Sequence, residues 1–178
     1  PTVSFDTSTP FAFAPSTKLI LVGRGPEEAR LRRLAEESGV AARLRLFPFA
    51  SDDELLDLYA GARLVAVAPS GEDLGYVPLE AFLSGKPVLT TEDAGGPLEF
   101  VRDAENGLIC EPTGEAIASA VNRLAADKAL AARFGDAGYE RARLVTWEGV
   151  IEKLVQPTGP ESMSPEATSP ESRSPTPR

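Results

Sequence analysis

Short apolar runs alternate with longer amphipathic segments along most of this sequence, and this alternation constrains the fold more than any other feature. Each run is bounded by glycine, proline or acidic turn formers, which is typical of short buried strands. The segments between the runs carry apolar residues at helical spacing. The runs cover residues 18–22, 43–47, 63–69, 86–91 and 107–111.

Helix start and stop signals flank the segments between the predicted strands. Pro26 suits a first helical position and Gly39 a C-terminal cap of one helix. Acidic residues open a second helix at 52–62. Pro78 and Pro97 each stand where a further helix should begin. The remaining helices are predicted at 114–126, 127–143 and 147–155.

A strand–helix repeat of this kind predicts parallel strands, because parallel neighbours need long connections and helices supply them. The predicted strands are apolar throughout and do not alternate with polar residues, which indicates that helices cover both faces of the sheet. The fold class is therefore α/β: an open, Rossmann-like parallel sheet with helices on both faces.

Composition excludes several classes of function. The formal net charge is -9, with no basic cluster, which argues against nucleic acid as a partner. The sequence has no histidine and a single cysteine, Cys110, so it lacks the residues for a Ser-His-Asp triad, an internal disulfide or a zinc cluster. We expect a soluble, cytoplasmic protein, since the apolar runs are too short to span a membrane.

The composition divides the 178 residues into three parts. Residues 1–17 form an irregular N-terminal segment, and residues 18–155 form the α/β domain. Residues 156–178 are rich in Pro, Ser and Glu and repeat a five-residue unit between Pro160 and Pro175. With few apolar residues to bury, this tail is expected to be disordered. A Ser-Pro phosphorylation or docking segment is the alternative.

In open parallel sheets, ligands bind at the carboxyl ends of the strands. The loop at 70–78 leaves such an end, and Glu72 and Glu80 stand on either side of its turn. An ionised Glu80 can accept two hydrogen bonds from a vicinal diol such as that of a ribose. Backbone amides at the starts of the two proline-led helices could bind a diphosphate. Glu72 would reach a hexose at the other end of such a ligand. Alternatively, both acids are solvated loop and cap residues.

Several motifs in order resemble one known family. The stretches "EDLGYVPLEAFLSGKPV", "GGPLEFV" and "NGLICEP" are similar to the C-terminal, donor-binding domain of retaining GT-B glycosyltransferases, known as glycosyl transferases group 1, or family 4. The stretches "LILVGRGPEEARLRRLAEESGV", "RLRLFPFASDDELLDLYAGA" and "YERARLVTWEGVIEKLV" resemble the same family. The resemblance extends from Lys18 to Val155.

This resemblance implies specific roles for residues of this chain. Glu80 would hold the ribose hydroxyls of the donor, and Glu72, the candidate catalytic residue, would lie beside the donor sugar. Phe47 and Phe49 would lie near the nucleotide base. The remaining donor-binding residues would be the amides of Leu74, Gly75, Tyr76 and Val77 around the sugar and diphosphate, the turn glycines Gly23 and Gly25, and Gly95 and Gly96 beside the cleft.

The family transfers a hexose from a nucleotide sugar to an acceptor hydroxyl with retention, and it generally needs no metal or other cofactor. The basic pair that neutralises the diphosphate in the family has no counterpart in residues 1–17. We therefore expect a partial enzyme, whose partners are a nucleotide-diphosphate sugar, an unknown acceptor and a missing N-terminal domain or second chain. The full-length enzyme could work at the cytoplasmic membrane face.

Two alternatives stay open at this point. A non-catalytic module for nucleotide-sugar binding or assembly would keep the fold without turnover. An unrelated dinucleotide-binding domain is the other alternative, although "VGRGPEEA" lacks the third glycine of the Gly-x-Gly-x-x-Gly fingerprint.

Overall fold

Parallel strands and helices alternate along the chain in a computed structural model that describes residues 17–71 and 73–155. The strands are β1 (Leu19–Val22), β2 (Leu44–Phe47), β3 (Val65–Ala66), β4 (Val88–Thr91) and β5 (Gly107–Cys110). The helices are α1 (Glu28–Glu37), α2 (Asp52–Gly61), α3 (Val77–Leu83), α4 (Pro97–Phe100), α5 (Gly114–Ala126), α6 (Lys128–Ala142) and α7 (Trp147–Val155), and Ala41–Arg43 form a 3₁₀ turn.

Every strand pairing is parallel, as the strand–helix repeat predicts. The strands form two hydrogen-bonded sheets, β1-β2 and β3-β4-β5, whereas the sequence predicted one continuous sheet. The break lies at β3, which has two residues in place of the seven predicted at 63–69. A strand this short offers little backbone for pairing on a second side, and its pairs join Val65 to Val88 and Ala66 to Leu89 on β4.

Helices cover both faces of β4, because successive side chains of a strand point to opposite faces. Val88 packs in one cluster with Phe82 of α3, and Leu89 packs in a second cluster with Leu124 of α5 and Phe134 of α6. All four residues of β4 are buried. The prediction of a parallel α/β fold with helices on both faces is therefore confirmed at the central strand.

The same prediction does not hold for β1. Leu19 and Ile20 are each 40% exposed and Val22 is 46% exposed. Among the described residues, β2 is the strand hydrogen-bonded to β1. An apolar strand run therefore predicted the strand itself but not the covering of both its faces.

Local capping fixes the helix boundaries. At the start of α2, Ser51 and Glu54 form a capping box in which each side chain accepts from the other residue's backbone N–H. Thr113 and Asp127 cap α5 and α6 through their side-chain oxygens. Helix α1 begins at Glu28, so Pro26 lies before the helix and not at its first position.

The chain divides into two compact units, Pro1–Val145 and Thr146–Arg178. Helix α7 is the described part of the second unit, and its start is capped by Thr146, whose Oγ1 accepts from the Gly149 N–H at 3.1 Å. The predicted tail at 156–178 lies outside the described residues, as does the N-terminal segment up to residue 16. Within the part described, no helix combines the length and apolarity needed to cross a bilayer.

Candidate functional site

A cleft of about 720 Å³ opens at the carboxyl end of β3. Its walls are residues 67–69, which continue β3, and residues 73–77, which lead into α3. This is the edge of a parallel sheet at which ligands bind in open α/β folds. The loop that the sequence singled out therefore forms most of the cleft wall.

Hydrogen bonds to β4 hold the wall of the cleft that residues 67–69 form. The Val67 N–H donates to the Leu89 carbonyl at 2.9 Å, which continues the β3–β4 pairing past Ala66. The hydroxyl of the buried Thr90 donates to the Val67 carbonyl at 2.7 Å. Both backbone groups of Val67 are thus hydrogen-bonded to the fully buried β4, which holds this wall in place.

Two glycines shape the loop that forms the opposite wall. Gly75 has a φ of +66°, a backbone conformation that residues with a Cβ rarely adopt. Gly96, the residue before α4, packs directly on the loop, since a Cβ at this position would stand 2.5 Å from the Asp73 oxygen and the Leu74 Cα. The loop and the start of α4 therefore fit together only because residue 96 has no side chain.

Glu80 lies one turn beyond the cleft wall on α3 and is exposed. Its Oε2 accepts a hydrogen bond of 2.8 Å from the hydroxyl of Tyr59 on α2. Burial raises the pKa of Tyr59 well above its ordinary value, and the hydrogen bond and negative charge of Glu80 raise it further. Tyr59 is therefore a protonated donor at neutral pH, and the two helices meet at this contact.

Four of the predicted donor-binding residues line the cleft together: Leu74, Gly75, Tyr76 and Val77. Leu74 and Tyr76 are 40% and 61% exposed, which leaves their surfaces accessible to a ligand. Glu80 is on the same helix as Val77 but does not line the cleft itself. Glu72, the candidate catalytic residue, lies outside the described residues.

The structure places the predicted turn glycines, Gly23 and Gly25, and the residues predicted near the base, Phe47 and Phe49, at the end of the other sheet. The Gly23 N–H donates to the Phe47 carbonyl at 2.9 Å, so this glycine extends the β1–β2 pairing. Gly25 accepts from the Glu28 N–H at 3.3 Å at the start of α1. Phe47 packs under the guanidinium of Arg45, while Phe49 is 70% exposed. These residues do not line the cleft at β3.

Gly95 and Gly96 lie at the start of α4, behind the loop of the cleft. Gly95 has a φ of +78°, and its carbonyl accepts from the Leu98 N–H at 2.9 Å. Pro97 occupies the first helical position, as predicted. Neither glycine lines the cleft.

Sequence reasoning missed two features of the site. Residues 67–69 and Asp73 line the cleft but were not named as candidates, although the usable signal was their position at the carboxyl end of the strand predicted at 63–69 and in the loop that follows it. The contact of Tyr59 with Glu80 had no sequence signal, because the two residues are 21 positions apart on different helices.

Side chains that could bind a metal are not gathered in this part of the protein. In residues 17–71 and 73–155, no three acidic or cysteine side chains are placed so that together they could hold a metal ion. Burial raises the pKa of the Cys110 thiol, and the negative charges of Glu92, Asp103 and Glu111 raise it further. Cys110 is therefore a neutral thiol at physiological pH.

Residues 12–141 match the protein family described as glycosyl transferases group 1. The chain is 35% identical over 127 residues to the lipopolysaccharide core biosynthesis glycosyltransferase LpsE of Rhizobium meliloti (strain 1021), with 71% of this chain and 36% of that protein covered. It is 34% identical over 124 residues to the D-inositol 3-phosphate glycosyltransferase of Corynebacterium glutamicum (strain R), with 69% and 29% covered. The chain thus spans about a third of the length of these curated relatives.

Solved structures of glycosyltransferases with the GT-B fold are similar to this chain. Anabaena Alr3699/HepE in complex with UDP superimposes with a TM-score of 0.70 at 27% identity, covering 79% of this chain and 41% of that one. The same protein in complex with UDP-glucose gives a TM-score of 0.68 at 28% identity, with the same coverage. These comparisons confirm the predicted α/β fold class and the resemblance to glycosyl transferases group 1.

Proposed function

The chain belongs to the glycosyl transferases group 1 family, and we propose that it is the donor-binding part of a retaining glycosyltransferase of family 4. Residues 18–155 would form the nucleotide-sugar-binding half of a GT-B fold. The reaction would move a hexose from a nucleotide-diphosphate sugar to an acceptor hydroxyl with the anomeric configuration kept.

The observation that carries the proposal is the cleft at the end of β3. Four successive residues that the family resemblance assigns to the donor line this one opening, at the sheet edge where α/β folds bind ligands. The similar structure of HepE was solved with UDP and with UDP-glucose. A nucleoside-diphosphate hexose is therefore the ligand class that we assign to the cleft.

Each candidate residue has a role in this proposal. Backbone amides of residues 74–77 bind the sugar and diphosphate, and Glu80 accepts hydrogen bonds from the ribose hydroxyls. Glu72 lies beside the hexose and stabilises positive charge that develops at the anomeric carbon. Phe49, whose ring is exposed, is available to stack on the base. Gly23, Gly25 and Phe47 support that end of the site, and Gly95 and Gly96 hold the loop.

The proposal includes three features of the whole enzyme. No metal is required, in keeping with the lack of an Asp-x-Asp motif in the sequence. Transfer needs polypeptide in addition to this chain, because the curated relatives are about three times as long as the matched part. The location is cytoplasmic, with the membrane face as the working site of the full-length enzyme.

A calorimetric titration of the whole chain with UDP, GDP and UDP-glucose tests the donor site. We expect one nucleotide to bind, and Glu80→Ala to weaken that binding by about tenfold or more, since a hydrogen bond to a charged group contributes roughly 1.5 to 3 kcal/mol. Glu115→Ala is the matched control, because Glu115 is also an exposed glutamate in the first turn of a helix. The control should bind as the wild type does.

Four results would each contradict a part of the proposal. Failure of the wild-type chain to bind any of the three nucleotides would remove the donor site, and full affinity in Glu80→Ala would remove the role of Glu80. Sugar transfer by this chain alone would overturn its assignment as a partial enzyme. If an extended enzyme bound donor but never transferred sugar, the chain would instead be a non-catalytic binding module.

A further inference from the structure

The contact between Tyr59 and Glu80 joins a buried side chain to an exposed one. Tyr59 is 8% exposed, and its ring packs in the same core cluster as Phe82 and Val88. Its hydroxyl reaches the edge of this cluster and donates to Oε2 of Glu80 at 2.8 Å. The donor therefore has a fixed position, whereas the acceptor belongs to a side chain that would otherwise sample several rotamers.

Helix α2, which carries Tyr59, is held at both ends. The capping box of Ser51 and Glu54 fixes its start. Near its other end, the Lys86 ammonium donates to the Ala60 carbonyl at 3.0 Å, which ties the helix to the segment before β4. Because the helix is anchored on both sides of Tyr59, the hydroxyl is presented to Glu80 from a rigid element.

The contact leaves most of the carboxylate available to a ligand. A carboxylate offers about four acceptor positions on its two oxygens, and Tyr59 uses one of them on Oε2. Oε1 makes no hydrogen bond to Tyr59. Since the ordering of a long side chain opposes binding, a carboxylate that is ordered in advance binds its ligand more tightly.

We propose that Tyr59 is a positioning residue that orients Glu80 for the ribose diol of the nucleotide, and that the pair sets the preference for ribonucleotides over 2′-deoxyribonucleotides. Tyr59 touches neither the sugar nor the phosphates in this proposal and acts only through Glu80. The inference rests on the proposed donor site, and it adds a residue and a specificity to that site.

The test is the ratio of two dissociation constants, for UDP and for 2′-deoxy-UDP, measured on the whole chain, or for GDP and 2′-deoxy-GDP if the chain binds guanine nucleotides. We expect the wild type to bind the ribonucleotide about tenfold more tightly. Tyr59→Phe removes one hydroxyl and keeps the ring. It should therefore weaken the binding of the ribonucleotide alone and reduce the preference to about two- to threefold. In Glu80→Ala the preference should vanish, and adding Tyr59→Phe to it should change nothing further.

Tyr139→Phe is the matched control, because it removes the same hydroxyl from a tyrosine that is 43% exposed on α6. It should keep the wild-type preference. The ratio also protects the test against partial unfolding, because a loss of folded protein weakens the apparent binding of both nucleotides by the same factor.

The outcomes separate the two proposals. If the wild type binds neither the uridine nor the guanosine nucleotides, the donor site itself is wrong, and this inference is wrong with it. If the wild type prefers the ribonucleotide and Tyr59→Phe retains the full preference, the donor site stands and the positioning role is wrong. Equal weakening of both nucleotides in Tyr59→Phe would show a purely structural role and would also overturn the inference.

Discussion

Gly96 and Leu74 are in backbone contact: a Cβ added to Gly96 would stand 2.5 Å from the Leu74 Cα. This contact joins the start of α4 to the loop that lines the cleft. The loop is therefore supported from behind by a residue that does not touch the cleft. Its geometry depends on the packing of α4 as much as on its own turn.

Gly96→Ala should shift the loop at 73–77 and damage both stability and binding. The backbone of Gly96 is helical, with φ of -50°, so alanine meets no conformational strain there and the effect is steric. We expect a loss of about 1 to 3 kcal/mol in the free energy of unfolding, as for other overpacked sites. Urea unfolding and a nucleotide titration measure the two effects.

Gly61→Ala is the control for this substitution. Gly61 is also helical, at the end of α2, and a Cβ there would meet no atom within 4 Å. It should leave nucleotide affinity unchanged and should not reduce stability. Wild-type stability and affinity in Gly96→Ala would show that the loop does not depend on this contact.

The stability of the protein should fall at alkaline pH through Tyr59. Burial and Glu80 raise the folded-state pKa of Tyr59, whereas the unfolded chain ionises near the ordinary value of 10.0. The stabilisation is therefore complete below that value and is lost as the pH rises toward the folded-state pKa. Between about pH 9 and about pH 11, the free energy of unfolding of the wild type should fall by roughly 1 kcal/mol more than that of Tyr59→Phe.

Urea unfolding at several pH values measures this difference, and Tyr139→Phe serves again as the control. Because Tyr139 is exposed, removal of its hydroxyl should leave the alkaline loss at the wild-type size. Parallel pH curves for the wild type and Tyr59→Phe would contradict the prediction.

Asn106 should be essential for the turn before β5. It is fully buried, its Oδ1 accepts from the Arg102 N–H at 2.7 Å, and its Nδ2 donates to the Phe100 carbonyl at 3.0 Å. Asn106→Leu has a similar size but leaves both backbone groups without this partner. We expect a loss of about 2 kcal/mol or more in the free energy of unfolding, measured with urea.

Asn106→Asp gives a sharper test of the same network. The introduced carboxylate can still accept from Arg102 but cannot donate to Phe100, and its charge is buried. Protonation restores an O–H donor, so the deficit relative to the wild type should shrink as the pH falls. A deficit that stays constant with pH would argue against the Phe100 contact as its source.

The capping box of α2 should weaken in acid. The Ser51 backbone N–H and, to a smaller extent, its hydroxyl donate to Glu54 and hold the pKa of that carboxyl below its ordinary value. The stabilisation from a lowered pKa is present above the ordinary value of 4.5 and is lost as the pH falls through the folded-state pKa. Ser51→Ala should therefore cost about 1 kcal/mol at neutral pH and less in acid.

Thr113→Ala provides the comparison for this effect. Thr113 caps α5 by accepting from the Ala116 N–H, with no glutamate in the reciprocal position. Thr113→Ala should cost about the same free energy of unfolding at neutral pH, and this cost should not become smaller in acid. Urea unfolding at several pH values measures both variants. If their stabilities depend on pH equally, Glu54 does not strengthen the cap.

Much of the fold could be predicted because its signals are local. Helix α7 has the predicted bounds of 147–155, and Pro97 occupies the predicted first helical position. Pro78 is the second residue of α3 and not the first, a shift of one position. Such features depend on hydrogen bonds and side-chain spacing within a few residues, which the sequence displays directly.

Parts of the site could be predicted for the same reason. The cleft-lining loop at 73–77 follows a predicted strand and precedes a predicted helix, so its place at the sheet edge followed from topology. The support of this loop by Gly96 did not, because it depends on how α4 approaches a segment some 20 residues earlier in the chain. Spacing alone holds no information on that approach.

The order of strands and helices, the parallel direction of the strands and the glycosyltransferase motifs are properties of neighbouring residues, so the chain specifies them before any packing is considered. The division into two sheets, the exposure of β1 and the hydrogen bond from Tyr59 to Glu80 arise only when distant elements pack together. In that last case, α2 and α3 bring the two side chains within 2.8 Å because both helices pack around Val88 of β4. A contact of this kind reflects the volumes and orientations of a whole core, which no local pattern records.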